Sequence, residues 1–123
     1  MTNETILIVE DDMAMRELSV SMLQAMGATV QQAGQGSEAL KILKKKDEKF
    51  DLLLTDVMLP GGMNGPEIAV EAKKICPGIK TLFMSGYTQD ALKADSTDKT
   101  LLLQKPFKRS ELASKITLTL LGE

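Results

Sequence analysis

Short apolar runs that each stop at a charged residue recur along this chain, and they leave few folds open to it. Ile6-Leu7-Ile8-Val9 ends at Glu10-Asp11-Asp12, Leu52-Leu53-Leu54-Thr55 ends at Asp56, and Leu101-Leu102-Leu103-Gln104 ends at Lys105-Pro106-Phe107. Runs this short, with no polar alternation, read as strands buried on both faces. Strands of that kind lie parallel in one sheet, so their C-terminal ends share one edge. That edge would then carry a group of carboxylates and one lysine, which suits a divalent cation and a phosphoryl group.

The segments between the runs read as helices. After the strand Thr5 to Val9, residues Met13 to Met26 place Met15, Leu18, Met22, Leu23 and Met26 at helical spacing, with Asp12 positioned as N-cap and Gly27 as stop. Ala28 to Gln32 is a weaker strand, Ser37 opens a second helix, and Phe50 to Thr55 is the third strand. Pro66 suits the first turn of a helix reaching about Ile75. Ile79 to Met84 is the fourth strand, Thr88 to Ala94 a short helix with a thin apolar face, and Thr100 to Gln104 the fifth strand. Ser110 is expected to cap a last helix striped by Leu112, Ile116 and Leu120. The pattern is (βα)5, an α/β fold with a doubly wound parallel five-stranded sheet of expected order 2-1-3-4-5. Ligands bind such sheets beyond the carboxyl ends of the strands, where the strand order reverses. Here that point lies between the strands ending at Glu10-Asp11 and at Asp56.

Composition removes several classes of function. Fifteen basic residues against seventeen acidic ones give a net charge of −2, which argues against direct nucleic-acid binding. The one basic run, Lys44-Lys45-Lys46, is followed by Asp47 and Glu48 and reads as a solvated helix end. The chain has no histidine, so His-based metal sites and Ser-His-Asp triads are excluded within it. A single cysteine, Cys76, permits no internal disulfide; it precedes Pro77-Gly78 at an expected helix end and reads as structural. No segment has the length and apolarity of a membrane span or a secretory leader, so a soluble, cytoplasmic protein without membrane insertion is expected. A flavin-type or nucleotide-type pocket would need a Ser/Thr/Gly-rich loop after the first strand, a Walker motif or Gly-x-Gly-x-x-Gly. Glu10-Asp11-Asp12 stands there instead and would repel a phosphate.

Carboxylates crowded at one edge repel and raise one another's pKa; a hard cation such as Mg2+ relieves that. A carboxylate is also a competent nucleophile toward phosphorus, giving an acyl phosphate. A nearby ammonium and hydroxyl would offset charge on the transferring oxygens. Ser85-Gly86, at the end of the fourth strand, supplies such a hydroxyl.

Ile6 to Asp12 with Arg16 downstream, Leu53 to Pro60, Asn64-Gly65, Met84-Ser85-Gly86 and Lys105-Pro106-Phe107 occur in an order and at spacings that resemble the receiver domain of two-component response regulators. The resemblance covers essentially the whole chain. It implies a flavodoxin-like receiver fold and one receiver domain over residues 1–123 without an output domain. It further implies Mg2+-dependent transfer of a phosphoryl group from a phosphohistidine to Asp56. On the same resemblance Asp11 is a direct Mg2+ ligand beside Asp56, Glu10 acts on the metal through water, and the Met58 backbone carbonyl completes the set. Ser85 would bond one phosphoryl oxygen and Lys105 another, and the Lys105–Pro106 bond would be cis. The implied partners are a sensor histidine kinase or histidine phosphotransfer protein and a downstream protein target. Such a domain takes part in its own phosphorylation and dephosphorylation without being a conventional enzyme. The alternative is a degenerate receiver acting only as a protein-interaction module.

Two positions depart from the family pattern. Leu102 stands three residues before Lys105, where receivers often carry an aromatic switch residue, and Gly61-Gly62 adds a residue to the loop after Asp56. Met84-Ser85-Gly86-Tyr87 and Leu103-Gln104-Lys105-Pro106-Phe107 resemble receivers of hybrid sensor histidine kinases as much as stand-alone regulators.

Overall fold

The structure, a computed structural model, describes residues 4–45, 49–86 and 102–122. Five strands, β1 (Thr5–Val9), β2 (Thr29–Ala33), β3 (Leu52–Asp56), β4 (Lys80–Ser85) and β5 (Leu102–Gln104), alternate with helices α1 (Met13–Ala25), α2 (Gly36–Leu43), α3 (Gly65–Ile75) and α4 (Arg109–Leu121). All strand pairs are parallel, in the order β2-β1-β3-β4-β5, as the alternation of elements predicts. The helix expected over Thr88 to Ala94 and the first residues of the expected fifth strand lie outside the described residues.

Alternation along each strand divides the core in two. Ile6, Ile8, Leu52, Leu54, Leu82 and Met84 face α1 and α4, which answer with Val20, Leu23, Leu112 and Ile116. Leu7, Val9 and Leu53 face α2 and α3, which answer with Ala39, Leu43, Ile68 and Ala72. The central strands therefore have no polar face, which is why β1 and β3 are unbroken apolar runs. One polar group sits wrongly in this packing. Ser19 on α1 is fully buried, and its hydroxyl has no hydrogen-bond partner. Ser19→Ala removes that unsatisfied group and improves helix propensity, so urea unfolding is expected to show a gain of about 1 kcal/mol.

Local chemistry sets the helix starts. The Asp12 side chain accepts the Met15 N–H at 2.9 Å, capping α1 as expected. Asn64 caps α3 reciprocally with Glu67: each backbone N–H donates to the other's side chain at 2.9 Å, with Pro66 in the first turn. At α4 the expectation fails. Ser110 lies inside the first turn rather than at its cap, and the helix starts at Arg109 after Lys108. The Glu111 carboxylate accepts the Lys108 N–H at 2.7 Å, so an acidic side chain three residues on fixes the start in place of a hydroxyl. The other described boundaries agree to within two residues, the usual fraying of element ends.

Candidate functional site

The sheet is extended past its formal ends on the carboxyl side. Glu10 N–H donates to Ala33 O at 3.1 Å, Val57 N–H to Met84 O at 2.9 Å, and Lys105 N–H to Ser85 O at 2.8 Å. These ladder bonds carry the ends of β1, β3, β4 and β5 to a common edge. Glu10, Asp11 and Asp56 bring one carboxylate oxygen each to within 4.8 Å of the others. Lys105 Nζ donates to Asp56 Oδ1 at 2.7 Å and to Glu10 Oε1 at 2.9 Å. A cleft of about 490 Å³ opens over the group, lined by Asp11, Asp56, Met58, Ser85 and Lys105 among others. The sequence-derived residues thus gather at one place. Glu10 differs from the rest: it is 1% exposed and sits behind the cleft, meeting it through Lys105. The Lys105–Pro106 peptide bond is cis. Leu102, at the position often aromatic in receivers, is half-buried on β5 in register with Phe83.

The three charged groups do not share their charge evenly. Burial pushes the Asp56 carboxyl up from its ordinary 3.8 to about 8; Glu10 beside it adds to the rise, and Lys105 opposes it. Burial also acts to raise Glu10, but hydrogen bonds with Asp56, Lys105 and the Asp12 N–H outweigh it, so that carboxyl stays below its usual range. Burial acts to lower Lys105, yet its bonds to the two carboxylates hold it above its usual value. Lys105 thus pairs with both carboxylates, and Asp56 is the harder of the two to ionise. One lysine cannot balance two buried carboxylates.

Asp56 Oδ2 is buried and accepts no hydrogen bond. An oxygen left like this is stabilised by a proton or by a cation. The ligand atoms near it are carboxylate oxygens at an open cleft, the chemistry Mg2+ prefers. On these two grounds the residues present fit a Mg2+ ion.

Some functional positions were not legible as such in the sequence. Gly65 opens α3 directly against the Asp56 carbonyl. A Cβ there would collide with the Asp56 backbone oxygen and lie 3.0 Å from its carbonyl carbon, while Gly65 N–H bonds Val57 O at 2.8 Å. The close approach is a property of the packed chain, and only the Asn64-Gly65 pair hinted at it. Gly61 and Gly62 both have positive φ, 88° and 92°, so the lengthened loop turns left-handed where side chains are disfavoured.

The profile described as "Response regulator receiver domain" matches residues 6–117. The sensor kinase CckA of Brucella abortus is 40% identical over 116 residues, which are 91% of this chain and 12% of that protein. The response regulator receiver protein CpdR of the same organism is 37% identical over 113 residues, covering 90% of this chain and 92% of CpdR. A crystal structure of the receiver domain from hybrid histidine kinase CckA superposes with a TM-score of 0.76 at 31% identity, covering 94% of this chain and 98% of that one. The chain belongs to the response regulator receiver family of two-component signalling. No described helix is long and apolar enough to cross a membrane.

Proposed function

We propose that Asp56 is the phosphoacceptor of this receiver, taking a phosphoryl group from the phosphohistidine of a sensor histidine kinase or histidine phosphotransfer protein in the cytoplasm. The observation that carries the reading is the buried Asp56 Oδ2, which has no hydrogen-bond partner, on a carboxylate whose Oδ1 is held by Lys105. Asp11 and Asp56, with Glu10 acting through water and the Met58 carbonyl completing the set, would hold Mg2+. When bound, that ion offsets the charge of the carboxylates and of the transferring phosphoryl oxygens.

The remaining work falls to side chains of this chain. A carboxylate oxygen of Asp56 attacks phosphorus, the P–N bond to the donor histidine breaks, and a mixed anhydride forms. Lys105, already on Asp56 Oδ1, stabilises one phosphoryl oxygen, and the Ser85 hydroxyl on the same cleft bonds another. The added charge favours the conformation in which Ser85 closes on the phosphoryl group, and that shift changes the surface offered to a downstream protein. Incubation with Mg2+ and acetyl phosphate tests the proposal: intact mass should show one added phosphoryl group. No uptake would overturn it and leave a protein-interaction module.

The raised Asp56 pKa sets a pH dependence. Mg2+ binds the deprotonated carboxylate, so binding near neutrality must expel the Asp56 proton. Affinity should rise with pH, by up to about tenfold per unit below pH 8, and level off above it. Calorimetry at pH 7 in two buffers of different ionisation enthalpy should show release of about one proton per Mg2+. Zero net release would mean that Asp56 is already ionised.

A further inference from the structure

We propose that Arg16 is a positioning residue for the metal site. Its guanidinium clamps the peptide from which Asp11 projects. The inference rests on the proposed Mg2+ site and adds a residue to it that touches neither metal nor phosphoryl group.

Arg16 Nη1 donates to the Glu10 carbonyl at 2.7 Å, and Nε donates to Gln32 Oε1 on β2 at 3.1 Å. The Glu10 carbonyl belongs to the Glu10–Asp11 peptide, so the clamp fixes the plane that carries the Asp11 side chain. The flanking backbone is held as well. Glu10 N–H bonds Ala33 O at 3.1 Å, Asp12 N–H bonds Glu10 Oε2 at 3.1 Å, and Arg16's own N–H bonds Asp12 O at 2.9 Å. Asp11 itself is exposed, and the charge of the adjoining Asp12 would drive it outward. The clamp opposes that motion and places a cation behind an acidic turn. A fork with two separated donors is required, because one N–H must reach β2 while the other reaches the turn. Gly34 leaves the space for it: a Cβ at that position would lie 3.1 Å from Arg16 Nη1.

Partners that orient metal ligands typically change affinity by about 10–100-fold when removed. Calorimetric Mg2+ titration of the whole chain at pH 8, with thermal melts in EDTA run alongside, tests the proposal. Arg16→Ala should weaken Mg2+ binding about tenfold or more. Arg16→Lys, which can reach the Glu10 carbonyl but not also Gln32, should recover part of that loss. Gly34→Ala, which crowds the guanidinium without removing charge, and Gln32→Leu should each weaken binding about threefold or more. The last two variants keep the test open should Arg16→Ala not fold. Variants that lower the melting temperature in EDTA yet bind Mg2+ within twofold of the parent would overturn the proposal and leave Arg16 a purely structural residue. Failure of the parent chain to bind Mg2+ would overturn the proposed site itself, and this inference with it.

Discussion

Asp56→Asn is expected to abolish phosphoryl uptake and, at the same time, to stabilise the metal-free protein by about 1–3 kcal/mol at pH 8. The two effects share one cause. Asp56 is 4% exposed, lies against Glu10, and leaves one oxygen unpaired; a charge there costs stability that Lys105 offsets only in part. Asparagine keeps an acceptor for Lys105 and offers an amide donor in place of the repelling oxygen. The sign of the pH dependence follows from the direction of the Asp56 shift. Because its folded-state pKa is raised from 3.8 to about 8, the native state binds more protons than the unfolded chain between those values. Metal-free stability therefore falls as pH rises through that window. The asparagine variant escapes this fall, so its advantage should be small at pH 5 and largest at pH 8. Urea unfolding in EDTA at both pH values checks it. A variant less stable than the parent at pH 8 would mean that the Asp56–Lys105 pair is net stabilising, contrary to this account.

Gly65→Ala is expected to be the most damaging single methyl group that can be added near the site. The new Cβ would meet the Asp56 backbone oxygen, its carbonyl carbon and Val57 Cα. These are backbone atoms of a central strand end, with no flexible side chain to yield. Relief requires α3 to move away from β3, which pulls Asn64 and Glu67 from their reciprocal caps and shifts the strand end that carries Asp56. A loss of about 3 kcal/mol or more is expected on urea unfolding, and the rate of phosphorylation by acetyl phosphate should fall at least about tenfold in the folded fraction, since small misplacements of a reacting group are costly. Gly78→Ala is the matched control. No atom lies within 4 Å of its added Cβ, so a change within about 0.5 kcal/mol is expected. Similar behaviour of the two variants would refute the argument from close approach.

Much of the fold could be read before any coordinates, because its determinants are local. Ile6 to Val9 and Leu52 to Thr55 declare two-sided burial by having no polar alternation, and Asp12 and Pro66 declare helix starts by chemistry that acts over three residues. The gathering of Glu10, Asp11, Asp56, Ser85 and Lys105 was legible too, because parallel strands leave their ends on one edge. What depended on packing was less visible. Ser110 looks like a cap, but Glu111 reaches the Lys108 N–H and moves the start of α4. The near-complete burial of Glu10 and its bond to Lys105 likewise come from packing. The demand for Gly65 comes from two elements meeting, and the demand for Arg16 from a turn that must be held against its own charge. Both residues stand in motifs of the sequence, but the contacts that require them form only on packing.

Reductive trapping locates the phosphoryl group on the chain. After incubation with Mg2+ and acetyl phosphate, borohydride treatment converts an aspartyl phosphate to homoserine at the residue that carried it, and peptide mass spectrometry locates that residue. Homoserine is expected at position 56, formed in the presence of Mg2+ and not in EDTA. Reduction at another carboxylate in its place, a phosphoryl group retained on Ser85 with no homoserine at position 56, or homoserine formed equally in EDTA would contradict it.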